Sequence, residues 1–363
     1  MRIAQIAPLY EAIPPRLYGG TERIVSYLTE ELVARGHDVT LFATGEAETS
    51  ARLAVVRERA LRLDPSPLKS AIAAHLAMLH EVQRRAAEFD ILHFHLSHFL
   101  HFPMFEHMRE CTVTTPHGRL DYSDLAPAYA LWQGFPMISI SNRQRRPLPA
   151  ANWVGTVHHG LPLDLYEPLP ESQRGIGEPY LAFLGRLSRD KRPDRAIEIA
   201  RRSGMRLKIA AKIGDDDRPY FHEVVEPLLD HDMVDFIGEI DETEKPAFLG
   251  NAAGLLFPID WPEPFGLVVI EAMAFGTPVI AWNEGAMPEI VDNGVTGFVV
   301  DTVDSAVKCV GMLDRLDRRE VRRVFEQRFS ATRMARDYEA IYAAMAAGSG
   351  CSERVRTDHE RAE

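Results

Sequence analysis

The chain has 363 residues, 46% hydrophobic and 26% charged, which is material for about two soluble globular cores. Its formal charge of −12 argues against a nucleic-acid surface, because neutralising phosphates needs a basic face. No uncharged apolar run reaches transmembrane length, so no membrane-spanning segment is expected. Basic runs such as Arg143-Gln-Arg-Arg146 and residues 315–323 read as solvated faces and leave room for no more than a peripheral lipid contact. The opening Met1-Arg-Ile-Ala-Gln-Ile-Ala-Pro8 is too short for a signal peptide. Cys111, Cys309 and Cys351 are scattered without metal spacing, give no disulfide framework and fit a reducing cytoplasm.

Arg2 to Ala7 is an apolar strand, followed by a loop rich in Pro and Gly that ends at Gly19-Gly20. Thr21 reads as the N-cap of a helix with Glu22 in its first turn, an apolar stripe at Ile24, Leu28 and Leu32, and a stop at Gly36. His37 to Ala43 is the next strand, so this is a βαβ unit in a parallel sheet. Gly19 and Gly20 then stand at a helix mouth on the carboxyl edge, where backbone amides suit a phosphate. Two glycines can equally do no more than turn a loop; the dinucleotide fingerprint is absent.

A helix carrying Leu68, Ile72, Leu76 and Leu79 comes next, then the strand Ile91-Leu-His-Phe-His-Leu96, which sets His93 and His95 on one face. With His98, His101 and His107 nearby a metal site is conceivable, but the residues are read as polar ends of a strand and helix. Cys111-Thr-Val-Thr-Thr-Pro-His-Gly118 is a β-branched strand that delivers His117 to the carboxyl edge, where an imidazole can donate to a substrate oxygen. Met137–Ser141 is another strand, and Trp153 to Gly160 closes the domain with His158 and His159 at its exit.

Leu161 to Pro179, with four prolines and with Gly175 and Gly177, reads as a linker. The α/β alternation then restarts, with strands at 180–185, 205–211, 234–237, 254–259, 277–282 and 297–300. Arg186 and Lys191 emerge where the first of these strands meets a helix with Pro193 in its first turn. Two cations and a helix N-terminus make an anion site of diphosphate size; the alternative is a pair of solvated charges. From Gly266 to Phe275 the chain is continuously apolar apart from Glu271, and Gly276 stops the helix. An unpaired charge in a buried helix costs several kcal/mol, so Glu271 needs a partner, whether an Arg or backbone donors in the core or a ligand. Glu263 lies eight residues earlier, in the loop before that helix.

Glu263-Pro-Phe-Gly266 through Glu271, Gly276-Thr-Pro278, Pro288-Glu289, the Gly185-Arg186…Lys191 segment and the early glycine pair together resemble glycosyltransferase family 4, over roughly Arg2 to Met345. The resemblance implies the GT-B fold: an α/β chain of two doubly wound Rossmann-like domains facing across a cleft. Residues 1–165 would form the acceptor-side domain and 166–330 the nucleotide-sugar domain. Residues 331–346 would be a helix crossing back to the first domain, and 347–363 a flexible tail. It further implies a retaining, metal-independent hexosyltransferase that uses a nucleoside-diphosphate sugar, UDP-glucose or a close relative, as co-substrate, with no resident cofactor. By the same resemblance Glu271 holds the ribose and Glu263 the transferred sugar, while Phe265, Gly266, Leu267 and Val268 present backbone amides. Arg186 and Lys191 grip the diphosphate, Gly19 and Gly20 close over it, Ile240 lies on the nucleotide side, and His117 meets the donor sugar or the acceptor.

Two departures bear on donor selectivity. Arg192-Pro193 stands where the family often has Gly after the lysine, and Ala286 where a second Gly is common. Other GT-B chemistry, such as an epimerase or a phosphorylase, and a non-catalytic nucleotide-sugar-binding protein remain the alternatives. A carboxylate pair can also serve a glycosidase, but a ribose-binding Glu271 argues against that. The acceptor hydroxyl is unidentified and is expected near the loop after Pro8 and residues 117–121.

Overall fold

Short β-branched and apolar runs separated by helices gather into two parallel sheets in this computed structural model, which describes residues 1–16, 19–96, 99–170, 178–230 and 232–349. His98, Gly175, Gly177 and Cys351 lie outside the described residues. The chain divides into two units, one made of Met1–Gly160 with the C-terminal segment from Ala331, the other of Leu161–Ser330.

In the first unit β1 (Arg2–Ile6), β2 (Asp38–Thr44), β3 (Arg52–Arg57), β4 (Ile91–Phe94), β5 (Thr112–Thr114), β6 (Met137–Ser139) and β7 (Trp153–Thr156) run in the order β3-β2-β1-β4-β5-β6-β7. Every pairing is parallel. The strand order reverses between β1 and β4, the point where open α/β sheets form a crevice at their carboxyl edge. β3 is not anticipated by the apolar pattern: it is a half-exposed edge strand with arginine at both ends.

The Gly20–Ala34 helix is capped by Gly19 without a side-chain bond, so Thr21 sits in the first turn rather than at the N-cap. The Ala71–Arg85 helix buries His75, Met78, Leu79 and Val82 and leaves Ile72 and Leu76 exposed, while Leu68, expected in this helix, lies exposed before it begins. The inward face is rotated from the expected stripe because His75 can enter the core with its ring satisfied. Its Nδ1 donates to the Ala71 carbonyl at 2.7 Å and its Nε2 accepts from the Leu9 amide at 3.2 Å.

The Ala331–Ser349 helix returns to this unit, fully burying Tyr338 and Tyr342 and joining the first helix through Arg35–Glu339 at 2.6 Å. It also packs on the 106–111 segment. Cys111, at the end of that segment, is disulfide-bonded, whereas Cys309 is free and buried. The expectation that the three cysteines give no disulfide framework is therefore corrected, since a single bridge leaves no spacing pattern in the sequence.

In the second unit β8 (Tyr180–Arg186), β9 (Arg206–Lys212), β10 (Val234–Gly238), β11 (Gly254–Phe257), β12 (Val279–Trp282) and β13 (Gly297–Val300) run in the order β10-β9-β8-β11-β12-β13. These pairings too are all parallel, and the order reverses between β8 and β11. All six strands anticipated in this half are present; β11 and β12 are apolar and buried throughout, whereas the edge strand β10 leaves Ile237 exposed. The apolar Leu267–Ala274 helix lies among them with Val269 through Ala274 buried, and the chain turns after it at Gly276.

Candidate active site

Parallel strands end at one edge, so the topology alone gathers most of the second unit's candidate residues. Arg186 closes β8 and Lys191 follows it; Ile240 follows β10; Glu263, Phe265 and Gly266 follow β11. Because β8 and β11 are neighbours at the reversal of strand order, Lys191 and Glu263 leave the two sides of the switch point. Their side chains form an ion pair with both groups largely buried. The Lys191 ammonium also lies 5.2 Å from the Phe257 ring centre and 5.1 Å from that of Trp261, aromatic faces that attract a cation. Arg186 is less enclosed, with its guanidinium 3.6 Å from Asp217.

Gly266 takes φ +89° and opens the Leu267–Ala274 helix, where a side chain would be strained and its Cβ would come within 2.9 Å of Met287. The first-turn amides of Leu267 and Val268 have no carbonyl a turn earlier to bond. One turn further in, Glu271 is 4% exposed and receives a bond from Lys245 Nζ at 2.9 Å. The carboxylate in the apolar helix thus has a lysine among its protein partners, a residue type not considered above.

Arg192 adopts φ +53°, the left-handed conformation that glycine would take at no cost. Its guanidinium chelates Asp194 and reaches Asp260 at 2.8 Å, tying the start of the Pro193–Ser203 helix to the loop that carries Glu263. Burial opposes the Asp194 charge, but bonds from Arg192 and Tyr220 outweigh it and hold this carboxyl below its usual range. The arginine therefore preserves the backbone shape that a glycine would give and adds a brace.

In the first unit His93, His95, His117 and His159 form one packed group. The His93 and His95 rings are 3.9 Å apart, and His117 stacks on His159 at 5.2 Å. His93 bonds Tyr342 at 2.6 Å and Thr115 at 2.8 Å. His95 Nε2 meets the Gln5 side-chain oxygen at 2.5 Å and so carries the proton; its Nδ1 then accepts from His117 Nε2 at 2.9 Å. That leaves His117 Nδ1 as an acceptor, enclosed and without a hydrogen-bond partner among the described residues. The expected donation from His117 to a substrate oxygen does not fit this tautomer, since its one N–H is used by His95. Burial pushes the His117 pKa down to about 3 and, with the charges of neighbouring imidazoles, holds His93, His95 and His159 well below the usual range. Among the described residues, no three His, Cys, Asp or Glu side chains group as a metal-ligand set.

Gly19 is pressed against Pro15, where an added Cβ would come within 2.8 Å, and against the Glu22 carboxylate at 3.0 Å. Glu22 is buried, and desolvation raises its pKa despite a bond from its own backbone amide. The helix mouth read as an anion site thus already holds an acidic side chain of the protein.

Two family models match the chain: residues 170–327 match the glycosyl transferases group 1 and residues 18–158 match glycosyltransferase family 4. Each covers the body of one sheet. The chain belongs to glycosyltransferase family 4. The transferase is 24% identical to the spore coat protein SA of Bacillus subtilis, with 94% of this chain and 99% of that one covered. It is 31% identical to an uncharacterized 41.2 kDa protein in the cps region of Klebsiella pneumoniae, over 53% of this chain and 55% of that protein, so it spans little more than half the length of this relative. Among solved structures, the Anabaena protein Alr3699/HepE in complex with UDP-glucose superposes with a TM-score of 0.68 at 17% identity, covering 95% of this chain and 100% of that one. The structural likeness establishes the GT-B fold.

Several residues that shape the transferase's candidate site escape sequence reasoning. Lys245 lies in Asp241-Glu-Thr-Glu-Lys245, a charged run that reads as a solvated turn, yet its side chain is buried. Asp260 and Trp261 sit between prolines in a loop whose apolar and acidic members give no period. Gly285 is visible only as a loop glycine, although its close approach to Glu263 fixes where that carboxylate stands. No helix among the described residues is long and apolar enough to cross a membrane.

Proposed function

We propose that this glycosyltransferase moves a hexose from a nucleoside-diphosphate sugar, UDP-glucose or a close relative, to a hydroxyl acceptor, with retention at the anomeric carbon and without a metal. The single observation that carries the reading is the Lys191–Glu263 pair at the switch point, with Arg186 on the same carboxyl edge. A cation on each side of a departing diphosphate can stabilise its developing charge without Lewis-acid help. Glu263 would exchange its lysine contact for hydroxyls of the transferred sugar, the amides of Gly266, Leu267 and Val268 would face sugar or phosphate, and Glu271 would take the ribose. The presence of UDP-glucose in the Anabaena structure supports the choice of donor. Retention rests on the family resemblance, in which the leaving phosphate takes the acceptor proton on the face it departs from.

The roles of Gly19 and Gly20 in closing over the diphosphate, of Ile240 beside the nucleotide and of His117 toward donor or acceptor belong to the same proposal, as does a cytoplasmic location. The acceptor would bind the first unit near the loop after Pro8 and near Arg119 and Asp121, which pair with each other at 2.7 Å. Incubating the full chain with UDP-, GDP- and ADP-sugars and following nucleotide release tests the reading. Turnover or slow hydrolysis of one donor, lost in Arg186→Ala, supports it. Folded protein that binds a nucleotide sugar yet releases no nucleotide, with or without a panel of glycoside and polyol acceptors, would point to the non-catalytic alternative.

A further inference from the structure

We propose that Lys245 is a positioning residue for the nucleotide: it orients Glu271 so that the carboxylate can take the ribose hydroxyls. This rests on the donor reading of Glu271 given above. Lys245 begins the Lys245–Gly250 helix, which follows β10, whereas Glu271 lies inside the Leu267–Ala274 helix that follows β11. The lysine therefore ties two separate connections of the sheet together at one carboxylate.

The geometry accounts for every proton of the ammonium group. Lys245 Nζ is 2.9 Å from Glu271 Oε1, 2.8 Å from Glu242 Oε1 and 3.4 Å from the Tyr166 hydroxyl. That hydroxyl in turn donates to the other oxygen of Glu242. An ammonium has three N–H donors and no acceptor, so the three contacts exhaust it and leave its direction determined. Lys245 is 8% exposed and Glu271 4%, so water contributes little to holding either charge.

Two consequences follow for a ligand. A carboxylate free to turn about its last torsion would present its oxygens to a ribose in many orientations, and ordering it on binding would cost affinity. Fixed through Oε1 by Lys245, it offers a single geometry. The ammonium also offsets the charges of Glu242 and Glu271, which together would repel an anionic nucleotide. Neither consequence requires Lys245 to touch the nucleotide. Loss of a residue that merely supported the fold or offset charge would weaken ribose and deoxy forms alike; loss of one that orients the ribose carboxylate weakens the ribose form more than its deoxy counterpart.

The test compares dissociation constants of UDP, GDP and ADP with those of their 2′-deoxy forms, by calorimetry, for the whole wild-type chain, Lys245→Met, Lys245→Gln and Lys245→Arg, after thermal melts establish folding. For the nucleotide that wild type binds best, the ribose form should bind on the order of tenfold tighter than the deoxy form. Lys245→Met should bring that ratio near one, and Lys245→Arg should restore part of it. If Lys245→Met does not fold, Lys245→Gln carries the same expectation, because its shorter, uncharged side chain cannot hold Glu271, Glu242 and Tyr166 together and leaves the carboxylate free to turn. A wild type with no ribose preference, or with no nucleotide binding, overturns the ribose reading of Glu271 and the proposal with it. A wild-type preference that persists in folded Lys245→Met or Lys245→Gln overturns the role of Lys245 alone.

Discussion

Gly285 and Glu263 are locked backbone to backbone: a Cβ built on Gly285 would lie 2.2 Å from the Glu263 carbonyl oxygen and 2.3 Å from its amide nitrogen, and the next amide, of Ala286, donates to that same carbonyl at 2.9 Å. The loop after β12 therefore holds the loop after β11 in place, at the carboxylate that faces Lys191.

Gly285→Ala should accordingly act at Glu263. Gly285 has φ +52°, so the alanine is strained by about 1 kcal/mol before any clash is counted. The clash is with main chain, which cannot rotate away, and Glu263 must move. The expected outcome is a rise of tenfold or more in donor KM together with a fall in kcat, in a protein that still melts cooperatively. Unchanged kinetics would mean that the placement of Glu263 is unimportant to turnover.

The Lys191–Glu263 pair can be separated into stability and activity. Both side chains are largely buried, with 17% and 12% exposure, so removing one partner leaves a charge poorly solvated. Lys191→Met and Glu263→Gln should each lower unfolding free energy by about 1–3 kcal/mol, and the double substitution by less than their sum. Turnover should instead fall by at least a hundredfold in Lys191→Met, because the proposed stabilisation of the leaving group goes with the cation. Denaturant melts and initial rates on the same samples read the two effects, and a Lys191→Met protein with near-normal turnover removes this lysine from the catalytic step.

Arg192 gives a direct measure of backbone strain. Arg192→Ala keeps the left-handed conformation and loses the contacts to Asp194 and Asp260, whereas Arg192→Gly loses the same contacts but is comfortable at φ +53°. The glycine variant should be more stable than the alanine variant by about 1 kcal/mol, and both less stable than the parent. Chemical denaturation resolves this difference. Equal stability of the two variants would show that position 192 relaxes out of the left-handed region when the ion pairs are gone.

What the sequence made legible was whatever rests on local pattern. The strands of the second unit, the glycine stop at Gly276 and the Lys191 and Glu263 positions at a carboxyl edge follow from apolar runs broken by glycine and proline. Edge strand β3 was hidden because an exposed strand has no need of an apolar run. The contact of Lys245 with Glu271 was hidden for a different reason. Lys245 is separated from the glutamate by a helix turn, a strand and a loop, and only the parallel packing of two connections brings them together. The rotated face of the Ala71–Arg85 helix is of the same kind, since it depends on what the distant Leu9 amide offers His75.

The histidine group predicts the acid limit of the fold. His93, His95 and His159 are buried and neutral, with pKa values held well below the unfolded value of about 6.5 by desolvation and by one another. Above that unfolded value neither state binds the protons, and the stability associated with neutral burial is fully present. As pH falls below about 6.5 the unfolded chain takes up protons that the folded one refuses, so unfolding becomes easier, by about 1.4 kcal/mol per pH unit for each such histidine. Urea melts between pH 8 and pH 5 should be flat at the alkaline end and then fall with a slope of several kcal/mol per unit. His95→Gln should reduce the slope, because it removes one buried imidazole and relieves the others. A stability curve that stays level down to pH 5 would mean that these rings accept protons in the folded state, and that the cluster is wetter than its packing implies.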